Sequence, residues 1–144
     1  MSDLSCTYTI YLAASAEEVW DAFTDPDRTG TWWGHRNESD WQEGSDWTHV
    51  RADRSGDDGG GTVLESRRPS RLAFTFPTGE PSTVSFDIVE HGDIVRLTMN
   101  HTDLPNEQIQ GVVSKVWPAI LSNLKSYLEG GSVMPSSPLE AMDA

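Results

Sequence analysis

The chain has one cysteine and two lysines among 144 residues, and none of its hydrophobic runs is longer than a strand. A lone Cys6 cannot close an internal disulfide and supplies no cluster of soft metal ligands. A stapled scaffold is thereby excluded, and a reducing compartment, the cytoplasm, is the expectation. A membrane-crossing helix needs roughly 20 successive apolar residues, and no such stretch exists. Met1 to Cys6 lacks a basic region leading into an apolar core, so no secretory signal is read there. Basic residues are scarce as well: 10 Lys and Arg stand against 23 Asp and Glu, a formal charge of -13. That charge repels phosphate backbones and anionic lipid heads, so nucleic acid is not an expected partner, and it suits a strongly solvated surface.

What is present has a definite order. Tyr8, Ile10 and Leu12 alternate with Thr7, Thr9 and Tyr11, the period of a strand with one buried face. Ser15 with Glu18 makes a capping box, and Ala16, Val19, Trp20 and Phe23 follow on one helical face to Thr24. Asp25 and Pro26 repeat the start signal, and a second short helix is expected to end at Trp32, Trp33 and Gly34. Six β-type runs come next: Glu38 to Trp41, Ser45 to Ala52, Thr62 to Arg67, Arg71 to Phe76, Ser82 to Glu90 and Ile94 to His101. The Ser55 to Gly61 stretch lacks the Lys and Ser or Thr of a phosphate loop and reads as a hairpin loop. After Pro105 the apolar period becomes helical from Ile109 to Leu128, which predicts about 24 residues of helix closed by Gly130 and Gly131. Pro118 within it predicts a kink, and residues 132–144 read as a loose tail after a single domain spanning residues 1–131.

The order strand, two helices, six strands and one long helix is that of an α+β helix-grip fold, a curved antiparallel sheet wrapped around a C-terminal helix. Local words sharpen the match. Ala14, Ser15, Glu18 to Trp20, then Thr24 to Pro26, then Trp32 to Gly34 resemble the opening signature of homologues of the activator of the heat-shock-protein-90 ATPase, within the START-related SRPBCC superfamily. Gly60 to Glu65, Arg71 to Phe76 and Leu97 to Leu104 sit where that family has its middle strands, and Trp117, Pro118 and Leu121 to Leu128 resemble its closing helix. The resemblance covers roughly residues 6 to 131. It implies a cavity between sheet and helix that takes a small hydrophobic or amphipathic ligand. Some superfamily members catalyse cyclisation or hydration in that space, which makes a cyclase-like or hydrolase-like enzyme the second reading. A chaperone partner, implied by the family name alone, is the third.

Alternation assigns faces to the strands. Leu72, Phe74 and Phe76 share one, Val84, Phe86 and Ile88 another, and Val95, Leu97, Met99 and His101 a third. Together with Val113, Trp117 and Leu121 of the helix, and with Trp33, Trp47 and His49, they form the expected ligand lining. Packed core is the alternative for each. His101 lies on an otherwise apolar face and either serves a ligand as acid, base or hydrogen-bond partner, or is a satisfied histidine near Asp103. Glu65 would pair with it if Val63 and Glu65 point inward, which Leu64 argues against. Trp32, Trp33, Trp41 and Trp47 either close a cavity mouth or pack the core. Four histidines without paired spacing give no metal site, and no cofactor is expected; both monomer and homodimer remain open.

Overall fold

The structure is a computed structural model that describes residues 3–141. Its elements are β1 (Cys6–Leu12), α1 (Ala16–Thr24), α2 (Pro26–Trp32), β2 (His35–Glu38), β3 (Asp46–Arg51), β4 (Asp57–Arg67), β5 (Arg71–Thr78), β6 (Glu80–His91), β7 (Ile94–Thr102), α3 (Glu107–Gly130) and α4 (Pro138–Ala141). One antiparallel sheet holds all seven strands in the order β1-β7-β6-β5-β4-β3-β2, so the first and second strands form opposite edges. The two short helices bridge those edges, and α3 lies close along β1. This is the helix-grip arrangement.

Local chemistry accounts for the helix ends. Ser15 Oγ accepts from the Glu18 amide while the Glu18 carboxylate accepts from the Ser15 amide, a complete capping box. Asp25 Oδ1 accepts from the Asp27 amide, and Pro26 fills a first-turn position where no intrahelical donor is needed. Asn106 caps α3 by accepting from the Ile109 amide, and Gly131 ends it with φ 77°, a left-handed conformation in which glycine has no Cβ penalty. The helix passes through Pro118 as one 24-residue element.

The sheet face toward α3 is set by register. Phe74, Val84, His101 and Cys6 lie in one cross-strand row; Leu72, Phe86, Met99 and Tyr8 lie in the next; Ile88, Leu97 and Ile10 form a third. Of these, Leu72, Phe74, Val84, Phe86, Leu97, Met99 and His101 are at most 1% exposed. Their burial is the main favourable term holding the sheet to the helix.

Two strands depart from the sequence expectation. The second begins at His35 and ends at Glu38, whereas the run Glu38 to Trp41 was expected. Ser39 Oγ accepts from the Trp41 amide and Asp40 Oδ1 from the Gln42 amide, so a side-chain-stabilised turn replaces extended backbone there. Trp41 sits in that turn with φ 57° and its ring in the core. The fourth strand starts at Asp57 and absorbs most of the expected Ser55 to Gly61 loop. Close approach explains the glycines. A Cβ at Gly60 would stand 2.1 Å from the Trp47 carbonyl oxygen, and one at Gly61 2.2 Å from Thr75 Oγ1 and 2.3 Å from its carbonyl. Here glycine lets neighbouring backbones come together rather than turn.

The contacts give a direct expectation. Gly61→Ala should lower unfolding stability by about 1–3 kcal/mol, the usual cost of overpacking, read as a lower urea midpoint with unchanged m. Gly111, on α3, has nothing within 4 Å of the place a Cβ would occupy, and should take alanine with a gain near the helix-propensity difference of about 1 kcal/mol. Equal responses at the two positions would contradict this packing.

Candidate functional site

The layer between sheet and α3 is built of rings. Phe23 stacks on Phe86 at 4.1 Å between centroids, and Trp47 meets Phe74 edge-on at 4.9 Å. Trp117 reaches from α3 to Phe86 at 5.8 Å, Phe76 at 6.3 Å and Trp33 at 5.6 Å. Edge-to-face pairs of this kind add about 0.5–1.5 kcal/mol each beyond area burial. The residues expected to line a ligand space therefore do converge: Trp33, Trp47, Phe74, Phe86, Met99, Val113, Trp117 and Leu121 belong to one buried cluster, and Phe76 packs against it half-buried. They meet one another, ring on ring.

Three indole donors in this region have a backbone acceptor. Trp32 Nε1 donates to the Ala22 carbonyl at 2.8 Å, Trp41 Nε1 to Thr24 at 3.0 Å, and Trp47 Nε1 to Thr75 at 2.8 Å. All four tryptophans between residues 32 and 47 are buried and pack in the core.

Trp117 Nε1 donates to a side chain instead, His101 Nδ1, at 3.1 Å. An indole can only donate, so Nδ1 is bare and the neutral ring carries its proton on Nε2. That proton goes to Ser82 Oγ at 2.7 Å, and Ser82 donates onward to the Phe76 carbonyl at 3.3 Å, with Thr78 Oγ1 2.8 Å from the same hydroxyl. His101 is fully buried, and burial pushes its pKa down to about 4. Both ring nitrogens are thus occupied by protein, as a satisfied histidine requires. Asp103 is not among its partners.

His49 is the second buried imidazole. Its Nδ1 donates to Asn37 Oδ1 at 2.5 Å, and its ring stacks on His35 at 3.7 Å with an interplanar angle of 5°. Burial, and then the charge His35 can carry, push its pKa down to about 3. His35 Nε2 lies 2.7 Å from Asp58 Oδ2, and Arg51 Nη2 lies 2.6 Å from Asp58 Oδ1. Arg51 first, and His35 second, hold the Asp58 carboxyl well below the usual carboxylate range. Among the described residues, no three His, Cys, Asp or Glu side chains converge to hold a metal.

Glu65 is not part of this interior. The β4–β5 register shifts between Val63 and Glu65, so Val63 points inward and Leu64 and Glu65 do not. Glu65 pairs with Arg67 at 2.5 Å and Arg71 at 3.0 Å, and these two cations, Arg67 first, hold its pKa below the ordinary value. The acid–base pair of His101 and Glu65 is not formed. Sequence reading also missed Ser82 and Asn37, the polar partners of the two buried imidazoles. Ser82 was legible in principle, being in phase with Val84 and Phe86. Asn37 was hidden by the misplaced second strand.

On the far side of Trp33 lies a hollow of about 260 Å³ bounded by the end of α2, by Ala119, Ile120 and Asn123 of α3, and by Val133 to Leu139. The segment read as a loose tail folds back to make this wall as far as residue 141, while residues 142–144 lie outside the described residues. Met134 N donates to Asn123 Oδ1 at 2.8 Å, and Asn123 Nδ2 donates to the Trp32 carbonyl at 2.9 Å.

A seven-stranded antiparallel sheet gripping one long C-terminal helix is the architecture of an SRPBCC-type domain. The family model described as "Activator of Hsp90 ATPase homolog 1-like protein" matches residues 13–129, and the chain belongs to that family. Among solved structures it is similar to CalU16 from Micromonospora echinospora, with 25% identity and a TM-score of 0.76 over 96% of this chain and 80% of that one. SSP2350 from Staphylococcus saprophyticus shares the fold at 20% identity and a TM-score of 0.77, over 90% and 95% of the two chains. So does the Aha1 dimer from Colwellia psychrerythraea, at 19% identity and 0.74, over 88% and 97%. No curated protein matches the chain. No described helix is long and apolar enough to cross a membrane.

The two buried imidazoles give a pH signature. Both have folded-state pKa values below the ordinary histidine value of 6.5, so between those values the unfolded chain binds more protons and stability falls as pH falls. Stability should be level above pH 7 and drop from pH 6.5 toward 4, His101 alone accounting for about 3 kcal/mol. Urea unfolding at half-unit pH steps checks this. A flat profile from pH 7 to 4.5 would contradict it.

Proposed function

We propose that the chain binds a small hydrophobic or amphipathic molecule in the aromatic layer between the sheet and α3. The observation that carries this reading is the make-up of the layer. α3 lies backbone-close to β1, and Trp117 reaches from it over the middle of the sheet to Phe86 and to the half-buried Phe76. The layer is spanned by aromatic rings rather than aliphatic side chains, a lining suited to an apolar or aromatic ligand. Val113 and Leu121 supply the apolar helix wall, and Met99 an adaptable sheet floor. Neutral His49, which spends Nδ1 on Asn37, can add a polar contact without the desolvation cost of a charge, while His101 fixes Trp117. Membership of the family and likeness to CalU16 support a ligand-binding fold.

An enzymatic reading has less support, because His101 spends both nitrogens on Trp117 and Ser82 and Glu65 faces two arginines elsewhere. A chaperone-partner reading rests on the family description alone. The single Cys6 favours a cytoplasmic setting, and the dimeric Colwellia relative makes a homodimer a state to test beside the monomer.

The reading is tested by native mass spectrometry of protein purified from its own host, with thermal shifts against fatty acids, sterols and aromatic polyketides. A ligand at a hundred times its Kd should stabilise the fold by about 2.7 kcal/mol, a rise of several degrees in Tm. Neither a bound mass nor a shift across the panel would overturn the proposal.

A further inference from the structure

The hollow lies on the other side of Trp33 from Trp117 and shares that ring with the ring layer, and its remaining walls differ in kind. Trp32 and Trp33, with centroids 5.2 Å apart and planes tilted by 30°, form its floor, and Ile120, Val133 and Leu139 give it apolar sides. Among the described residues, no charged side chain borders it. Its polar neighbours are Thr31, Asn123 and Ser137, and two of these are already engaged: Thr31 Oγ1 donates to the Asp27 carbonyl, and Asn123 uses both ends of its amide on Trp32 and Met134. Ser137 Oγ makes no hydrogen bond among the described residues and lies on the exposed rim. The volume of about 260 Å³ is below the roughly 300 Å³ at which drug-sized pockets begin.

From this geometry we propose that the hollow is a second binding site, for a neutral molecule of one or two aromatic rings carrying a single hydroxyl or carbonyl. The indole floor favours a ring by stacking or edge contact. The uncharged walls, in a protein of net charge -13, disfavour an anion, and nothing on them pairs a cation. Ser137 is the group left to meet one ligand oxygen. The outer wall is also the movable one. Ser126 Oγ to the Ser132 carbonyl and Met134 N to Asn123 hold the start of the segment, whereas α4 is four residues long and is held through Leu139. Few anchoring contacts mean a low cost of local opening, so the segment 132–141 admits the ligand and closes over it.

The experiment is a ¹⁵N-edited NMR titration of the full chain with 2-naphthol, repeated on Ile120→Trp and Met134→Ala. Saturable shifts are expected at the Gly34, Ala119, Asn123 and Met134 amides and the Trp33 indole, with slower amide exchange over residues 134–141. Ile120→Trp fills the hollow and should weaken binding at least tenfold. Met134 is an exposed wall residue whose truncation leaves the core intact, and Met134→Ala should weaken binding about threefold. Shifts confined to Phe76, His101 and Trp117, with neither variant altering affinity, would place the probe in the ring layer and overturn this second site while supporting the first. Absence of any saturable shift would overturn it as well.

Discussion

The interaction on which the interior depends is the hydrogen bond from the Trp117 indole to His101. A long helix laid across a concave sheet leaves a space that shortens toward β1 and widens toward β5 and β6. One large side chain has to cross the wide part. Trp117 does so, and its N–H must find an acceptor because an unpaired buried donor costs about 1–3 kcal/mol. His101 supplies the acceptor at the end of β7. It can do so only as a neutral ring with a bare Nδ1, and burial together with the Ser82 hydroxyl favours that form. Helix position, imidazole tautomer and the placing of Phe76 beside both rings are therefore one constraint expressed three times.

The same constraint shapes what the layer can do. A charged histidine there would demand a counter-ion, and no Asp or Glu among the described residues is buried. Among the described residues the buried polar side chains are Thr29, Asn37, Ser82, Ser85 and the two neutral imidazoles, so this interior holds no charge. His49, fixed by Asn37 and flanked by Trp33, Trp47 and Phe76, repeats the design nearer the β2 edge. Both imidazoles are oriented by neutral partners, not by carboxylates, so neither is set up as a strong base.

Much of the fold was legible because its signals are local and strong. Ser15 with Glu18, Asp25 with Pro26 and the alternation of Val95, Leu97, Met99 and His101 each report a short-range energy term, and the resemblance to the family rested on the same words. The errors have physical causes. Gly60 and Gly61 are turn formers by conformational freedom and strand residues here by lack of a side chain, and nothing local distinguishes the two uses. Trp41 alternates as a strand residue should, yet Ser39 and Asp40 capture the backbone in a turn. At Val63 and Glu65 the bulge decides which side chain points inward, and a bulge is a property of strand pairing rather than of either strand. Phe74, Phe86, Met99 and His101 fall on the buried faces that alternation assigns, but the hydrogen-bond partners of His101 lie 16 to 19 positions away along the chain, beyond any local signal.

The central claim is that His101 is a neutral ring protonated on Nε2 and locked between helix and sheet. Imidazole ¹⁵N chemical shifts, measured at pH 7 on protein labelled in histidine, read it most directly. A bare, hydrogen-bonded Nδ1 and a slowly exchanging Nε2 proton are the predicted result, unchanged down to pH 5. A protonated Nδ1, whether in the other tautomer or in an imidazolium, would mean that Trp117 has no acceptor there and would contradict the account.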